Sequence, residues 1–370
     1  VSGDPIPLAD LKAQHAEIAD EVAAGFARVI ADTAFILGPE VRAFEEAFAR
    51  FCGVPRCIGV ANGTDAIELI IRALGLGAGD EVIVPANTFI ATALGVVRAG
   101  ARPVLVDCDE YHLLDPGRIE AAVTPRTQAI LPVHLFGQIA DMEAIGEIAQ
   151  ARGLTLIEDA AQSQGARRHG RRSGGFGLAA ATSFYPGKNI GAYGDAGAVV
   201  TSSDEIAARI HKLRNWGSDR KYHHPEIGFN SRLDTLQAVV LSAKLARLEA
   251  WNAARRRAAA RYDELLADVP GVERPRTLPG NEHVWQLYVV RVPRRDEVLE
   301  SLQAQGIGAG IHYPVPLHLH GALRDLGYRK GDFPTAEGAA REILSLPMHP
   351  HLTEEQQERV AAALRRALAA

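Results

Sequence analysis

Between about residues 57 and 202, short apolar runs alternate with longer amphipathic stretches. The runs at 57–61, 81–85, 103–107, 129–134 and 154–159 have the length and content of buried strands. The stretches at 66–74, 90–99 and 142–151 repeat their apolar positions every three to four residues, as one face of a helix does. This alternation predicts a mostly parallel sheet with helices on both faces, because parallel neighbours need a long crossover and a helix usually supplies it. Two further runs, 182–185 and 197–202, bring the sheet to seven strands. From 232 to 266 the pattern becomes a long helix, broken once at most, with Leu241, Leu245, Leu248 and Trp251 along one stripe. A strand at 285–292, a helix at 296–305 and a closing helix at 354–368 follow. The expected architecture is α/β, with a large domain over 1–245, N-terminal segment included, and a small α+β domain over 246–370.

Composition narrows the function classes. The chain has 370 residues, 47% hydrophobic and 23% charged, an ordinary globular balance. A net charge of −5 creates no overall field that favours nucleic acid. No apolar run approaches the roughly 20 residues that cross a bilayer. Cys52, Cys57 and Cys108 are too few and too irregularly spaced for a disulfide framework or a zinc knuckle, which fits a reducing, cytoplasmic setting. The start, Val1-Ser2-Gly3-Asp4-Pro5, lacks the basic and apolar regions of a secretory leader.

Candidate chemistry gathers where strands end. Ser183-Phe184-Tyr185-Pro186-Gly187-Lys188-Asn189 places a lysine in a Pro-Gly turn just after a strand. An amine in such an apolar place can lose its proton and attack an aldehyde; a solvated loop lysine is the alternative. Asp159 closes the strand at 154–159, where a buried carboxylate needs a cationic or proton-donating partner, unless it only caps a following helix. Gln162 follows three residues later. Asn62-Gly63-Thr64-Asp65 stands between a strand and a helix, where free backbone amides seat a phosphate or form a plain cap. Ser183 is a second phosphate candidate, and Phe89 can lie against a flat ring. A phosphate seat, a ring-facing aromatic, a carboxylate and a lysine, all after strand ends, are together what pyridoxal 5'-phosphate (PLP) chemistry requires.

On these motifs, with Asn230-Ser231-Arg232-Leu233-Asp234, the chain resembles the DegT/DnrJ/StrS family of PLP-dependent nucleotide-sugar aminotransferases over nearly its whole length. The resemblance implies the fold type I, aspartate aminotransferase-like architecture. It implies that Lys188 holds the cofactor as a Schiff base and is the catalytic residue, that Asp159 meets the pyridine nitrogen, and that Gln162 approaches the phenolic oxygen. It assigns Gly63, Thr64 and Ser183 to the phosphate. Asn230 would reach the phosphate of the partner subunit's cofactor, which implies a homodimer with shared active sites. Relatives that remove a sugar hydroxyl carry His at the lysine position, so Lys188 points to amination, with L-glutamate as donor. Lys221-Tyr222-His223-His224 and the run from His312 to His320 resemble the branch acting on 3-keto sugars linked to a nucleotide diphosphate such as dTDP or UDP. Tyr185, Tyr222, His312, Tyr313 and His134 are then candidate substrate contacts. A 4-keto sugar, or a regulatory protein that has kept the fold without catalysis, are the alternatives.

Two other readings carry less. His318/His320 and His349/His351 share a spacing, but prolines interrupt both runs and no carboxylate or Cys stands at ligand distance, so no metal site is expected. Arg255-Arg256-Arg257 on the long helix reads as a solvated charged face rather than a nucleic-acid patch.

Overall fold

The computed structural model describes residues 4–369. The reading of Val1 to Gly3 as leaderless lies outside them. Three helices precede the first strand: α1 (Leu11–Ala16), α2 (Ala19–Asp32) and α3 (Pro39–Cys52). The alternating region then runs β1 (Arg56–Val60), α4 (Gly63–Ala73), β2 (Glu81–Pro85), α5 (Ile90–Arg98), β3 (Arg102–Val106), α6 (Pro116–Ala122), β4 (Thr127–Ile130), α7 (Met142–Arg152), β5 (Thr155–Leu156) and β6 (Glu158–Asp159). A small hairpin, β7 (Arg167–Arg168) and β8 (Arg171–Arg172), precedes β9 (Ala179–Ser183), β10 (Gly197–Thr201) and α8 (Asp204–Leu213).

Pairing produces two four-stranded ladders, β1-β10-β9-β6 and β3-β2-β4-β5. They join because β5 and β6 are one strand interrupted at Ile157, and because Asp159 bridges Val133 in parallel. The result is one seven-stranded sheet in the order β1-β10-β9-β5/β6-β4-β2-β3, with β10 antiparallel to both neighbours. This is the expected fold type I sheet. Parallel strands end on the same edge, so the segments after β1, β2, β4, β6 and β9 all emerge there. One face is buried against α4, α5 and α8 through residues such as Ile67, Ile70, Val96 and Ile210. The other is covered by α3 and by α9 (Thr235–Leu245), through Phe44, Phe48, Leu241 and Phe184.

The long helix expected over 232–266 is two: α9 ends at Leu245 and α10 (Leu248–Leu265) starts three residues later. The remaining elements are β11 (Asn281–Glu282), β12 (Tyr288–Arg291), α11 (Arg295–Ala304), α12 (Pro334–Glu342), β13 (Ile343–Leu346) and α13 (Glu354–Ala369). Tyr262, Val290, Leu302, Leu344 and Leu364 form their core. Segments cross the division drawn at 245. Ile6 pairs with Ile307 and packs in the C-terminal core, while Leu317, Leu323 and Phe333 pack in the core under the sheet. Arg255 is a correction. It is not on a solvated face but 2% exposed, donating to the carbonyls of Trp285 (3.3 Å) and Met348 (2.8 Å). No helix among the described residues is long and apolar enough to cross a membrane.

Candidate active site

β1 ends in a turn whose first residues cap α4. Asn62 Oδ1 accepts from the Asp65 N–H at 2.8 Å, which leaves the first-turn amides of Gly63 and Thr64 without intrahelical partners. This turn lies hard against the end of β9. A methyl group on Gly63 would fall 2.7 Å from Ser183 Cβ, and one on Gly197 would fall 2.4 Å from the Asn62 carbonyl carbon. Gly63, Thr64 and Ser183 therefore meet in one small cradle of amides and hydroxyls.

Asp159 ends β6 and is 4% exposed. Its Oδ2 accepts from Thr92 Oγ1 at 2.8 Å and its Oδ1 from the Ala161 N–H at 3.1 Å. It caps no helix, since a turn follows it. Burial pushes its pKa upward, against the pull of Thr92 and the Ala161 amide. Lys188 sits in the turn after β9, its N–H bonded to the Tyr185 carbonyl at 2.9 Å. Burial lowers the Lys188 amine to about 8, partly opposed by the Asp159 charge. The turn is gripped from behind. The Asn189 N–H donates to Gln286 Oε1 (2.8 Å), Asn189 Nδ2 donates to Asn252 Oδ1 (3.0 Å), and Gln286 Nε2 donates to the Gly187 carbonyl (2.9 Å).

Gln162 is oriented by accepting from the Phe136 N–H at 2.6 Å, and its Nε2 donates to the Tyr313 hydroxyl at 3.1 Å. The Tyr313 ring lies 5.3 Å from that of Phe89, which is half exposed. His312 contacts Ser345 Oγ at 2.8 Å; burial, with the Lys188 charge adding to it, lowers its pKa to about 4. Tyr185, mostly exposed, flanks the Lys188 turn.

Three expected residues stand apart. His134 is fully buried, donates from Nε2 to Glu158 at 2.9 Å and accepts the Ala140 N–H on Nδ1. Both nitrogens are taken inside the chain, so the substrate contact expected of it is corrected to a buried support. Tyr222 is 81% exposed and makes no side-chain hydrogen bond among the described residues. Asn230 is also exposed, although its neighbour Ser231 donates to Asp65 Oδ2 at 2.7 Å, beside the α4 cradle. His318 is bonded to Glu337, and His320 to the Val315 carbonyl.

The pattern of the DegT/DnrJ/EryC1/StrS aminotransferase family matches residues 16–365. The chain belongs to that family. It is 49% identical to the dTDP-3-amino-3,4,6-trideoxy-alpha-D-glucose transaminase of Streptomyces venezuelae, over 97% of this chain and 95% of that one. It is 46% identical to the UDP-2-acetamido-2-deoxy-3-oxo-D-glucuronate aminotransferase of Pseudomonas aeruginosa, over 97% and 99%. The crystal structure of S. venezuelae DesV in complex with a ketimine intermediate superposes with a TM-score of 0.96, at 49% identity and 98% coverage of both chains.

DegT/DnrJ/EryC1/StrS aminotransferases depend on PLP, and the residues present fit that group. A phosphate suits the amides of the Gly63–Ser183 cradle, which leaves no room for a side chain at Gly63. A ring nitrogen suits the open lone pairs of Asp159, and an aldehyde suits a lysine amine near pKa 8. The residues missed in the sequence are Thr88 and Thr92 beneath Asp159, and Gln286, Asn252 and Gln164 around the lysine turn. Threonine and amide side chains carry no spacing signal of their own. Asn189, directly after Lys188, is the one member of this network that lies inside a sequence motif.

Proposed function

We propose that the chain transfers an amino group from L-glutamate to C3 of a keto sugar carried on a nucleotide diphosphate, dTDP- or UDP-linked. The observation that carries this is the meeting of Lys188 and Asp159 at one sheet edge, with the lysine amine poised near pKa 8. C3 follows from the names of the two relatives, one a 3-amino and one a 3-oxo sugar enzyme. Bound here, PLP supplies an electron sink that weakens the C–H bond of the amino donor. Asp159, held as an anion, keeps the ring nitrogen protonated. Gln162 presents its Nε2 to the phenolic oxygen, Gly63, Thr64 and Ser183 hold the phosphate, and Phe89 covers one ring face. Lys188 Nζ, half-protonated near pH 8, would be the group that accepts and returns the proton in each half-reaction. His312, neutral over this range, offers the sugar a hydrogen bond rather than a charge. Tyr313 and Tyr185 line the same mouth.

The working unit is a cytoplasmic homodimer. Two observations support a shared site: Tyr222 and Asn230 reach outward, and the surrounding loop exposes Trp216 and Ile227, the latter at 92%. In the partner's site, Asn230 would contact phosphate and Tyr222 would contact substrate.

The test is a product assay with L-glutamate and a panel of nucleotide-linked 3-keto and 4-keto sugars. A new amine at C3 is expected. Turnover of 4-keto sugars alone moves the reaction to C4. A protein that takes up no PLP and aminates nothing would favour the regulatory alternative.

A further inference from the structure

Asp159 rests on two buried hydroxyls that lie outside the candidate chemical motifs of the sequence. Thr92, in the first turn of α5, is 1% exposed, and Thr88, in the β2–α5 loop, is 3% exposed. Thr92 Oγ1 donates to Asp159 Oδ2 at 2.8 Å, and Thr88 Oγ1 lies 3.0 Å from Thr92 Oγ1. A hydroxyl has one proton. Because an ionised carboxylate only accepts, the Thr92 proton is committed to Asp159, and the Thr88 hydroxyl must donate to Thr92. The chain of donors thus points one way, toward the carboxylate, for as long as Asp159 is an anion. Protonation of Oδ2 would strip that direction from both links. The Ala161 amide pins the other oxygen at 3.1 Å, so the carboxylate plane cannot rotate without breaking a bond.

We propose that Thr88 and Thr92 are positioning residues that hold Asp159 as an oriented anion and so keep the proton of its ring-nitrogen partner on the ring. Burial works against the anion at this position, and these hydroxyls, with the Ala161 amide, oppose that effect. Without Thr92 the carboxylate is more basic and draws the shared proton to itself. The ring then pulls electrons less strongly from the Lys188 linkage. The inference rests on the proposed contact between Asp159 and the ring nitrogen, and the experiment separates the two.

Four variants decide it: Asp159→Asn, Thr92→Val, Thr92→Ser and Thr88→Val. Each is reconstituted with PLP without substrate, the visible band is titrated with pH, and the PLP dissociation constant is measured. Asp159→Asn should raise the pH midpoint of the band, because an unprotonated ring leaves the lysine-linked nitrogen more basic. If it does not, the ring-nitrogen reading of Asp159 fails. Thr92→Val keeps the shape and removes the hydroxyl. It should move the midpoint the same way by a smaller step and weaken PLP by roughly 10-fold, the scale of one hydrogen bond to a charge. Thr92→Ser should restore both. Thr88→Val leaves the direct bond in place and should give a smaller upward shift; it also keeps the inference testable if Thr92→Val does not fold. A midpoint that moves in Asp159→Asn but stays at the wild-type value in Thr92→Val and Thr88→Val overturns the inference, whatever happens to affinity, since packing alone would not move it.

Discussion

The protonation of Lys188 can be measured before any sugar is added. Burial brings its amine from the ordinary 10.5 to about 8. At pH 7.5 that makes about a quarter of the lysine a free amine, where an ordinary lysine would offer about one part in a thousand, a gain of some two hundred-fold in nucleophile. The apoprotein should therefore capture PLP at a rate that rises with pH and levels off above about 8. Stopped-flow growth of the visible band on mixing apoprotein with PLP reads this rate directly. Asp159 perturbs the midpoint in a known direction, because its negative charge holds the proton on Lys188 and opposes the burial effect. Asp159→Asn removes that charge and should pull the midpoint below 8, so that capture is faster than wild type at pH 7 even though the product is held less tightly. The refuting results are a wild-type midpoint near 10.5, or one that rises in Asp159→Asn. The first would mean that water reaches the amine freely, and the second that Asp159 is not a charged neighbour of Lys188.

Between about pH 8 and 10.5 the unfolded chain holds more protons at Lys188 than the folded apoprotein does, so this group makes folding stability rise with pH in that window. Denaturant titrations should show wild-type apoprotein gaining on Lys188→Met across it; a constant difference counts against the depressed amine. Gly63→Ala puts a methyl group against Ser183 and should weaken PLP by ~10-fold or more while leaving the binding of phosphate-free pyridoxal almost unchanged. Equal losses for both ligands would place the phosphate elsewhere. His134→Ala removes one of four donors to the buried Glu158 carboxylate and leaves a cavity, and should cost about 2–4 kcal/mol in chemical denaturation. An unchanged stability with a raised KM for the sugar would restore His134 as a substrate contact.

The chemistry legible in the sequence is the part that local pattern determines. An apolar run that stops at Asp159 or just before Lys188 marks the carboxyl end of a strand, and parallel strands share that edge, so separated motifs could be placed together before any coordinates. The three helices before β1 fall outside the strand–helix alternation, although α3 supplies Phe44 and Phe48 to the core under β9 and β10. Their apolar positions are helical, but no strand alternates with them. The place of His134 follows from strand geometry. Glu158 and Asp159 are consecutive in one strand, so their side chains must leave on opposite faces. If Asp159 turns to the cofactor, Glu158 must turn away from it. There it takes the N–H groups of Gly174, Phe176 and Gly177 as well as His134. A histidine bonded to Glu158 is thus on the wrong side for a sugar.

Thr92 and Arg255 lie beyond any such rule. Thr92 is 67 residues from Asp159 and looks like any helical threonine until the sheet brings β2 and β6 to a common edge. Arg255 looks like one of three solvated charges, and only the carbonyls of Trp285 and Met348, delivered by the C-terminal half, explain why it is buried. In both cases the side chain's role depends on partners that arrive from distant segments. A composition or a helical wheel records what a residue can donate, while the fold decides what it donates to. For this site the consequence is specific. The groups proposed to hold PLP sit in readable motifs, but the hydroxyls and amides bonded to Asp159 and to the Lys188 turn do not, and a homologue could change its chemistry through them with every motif residue intact.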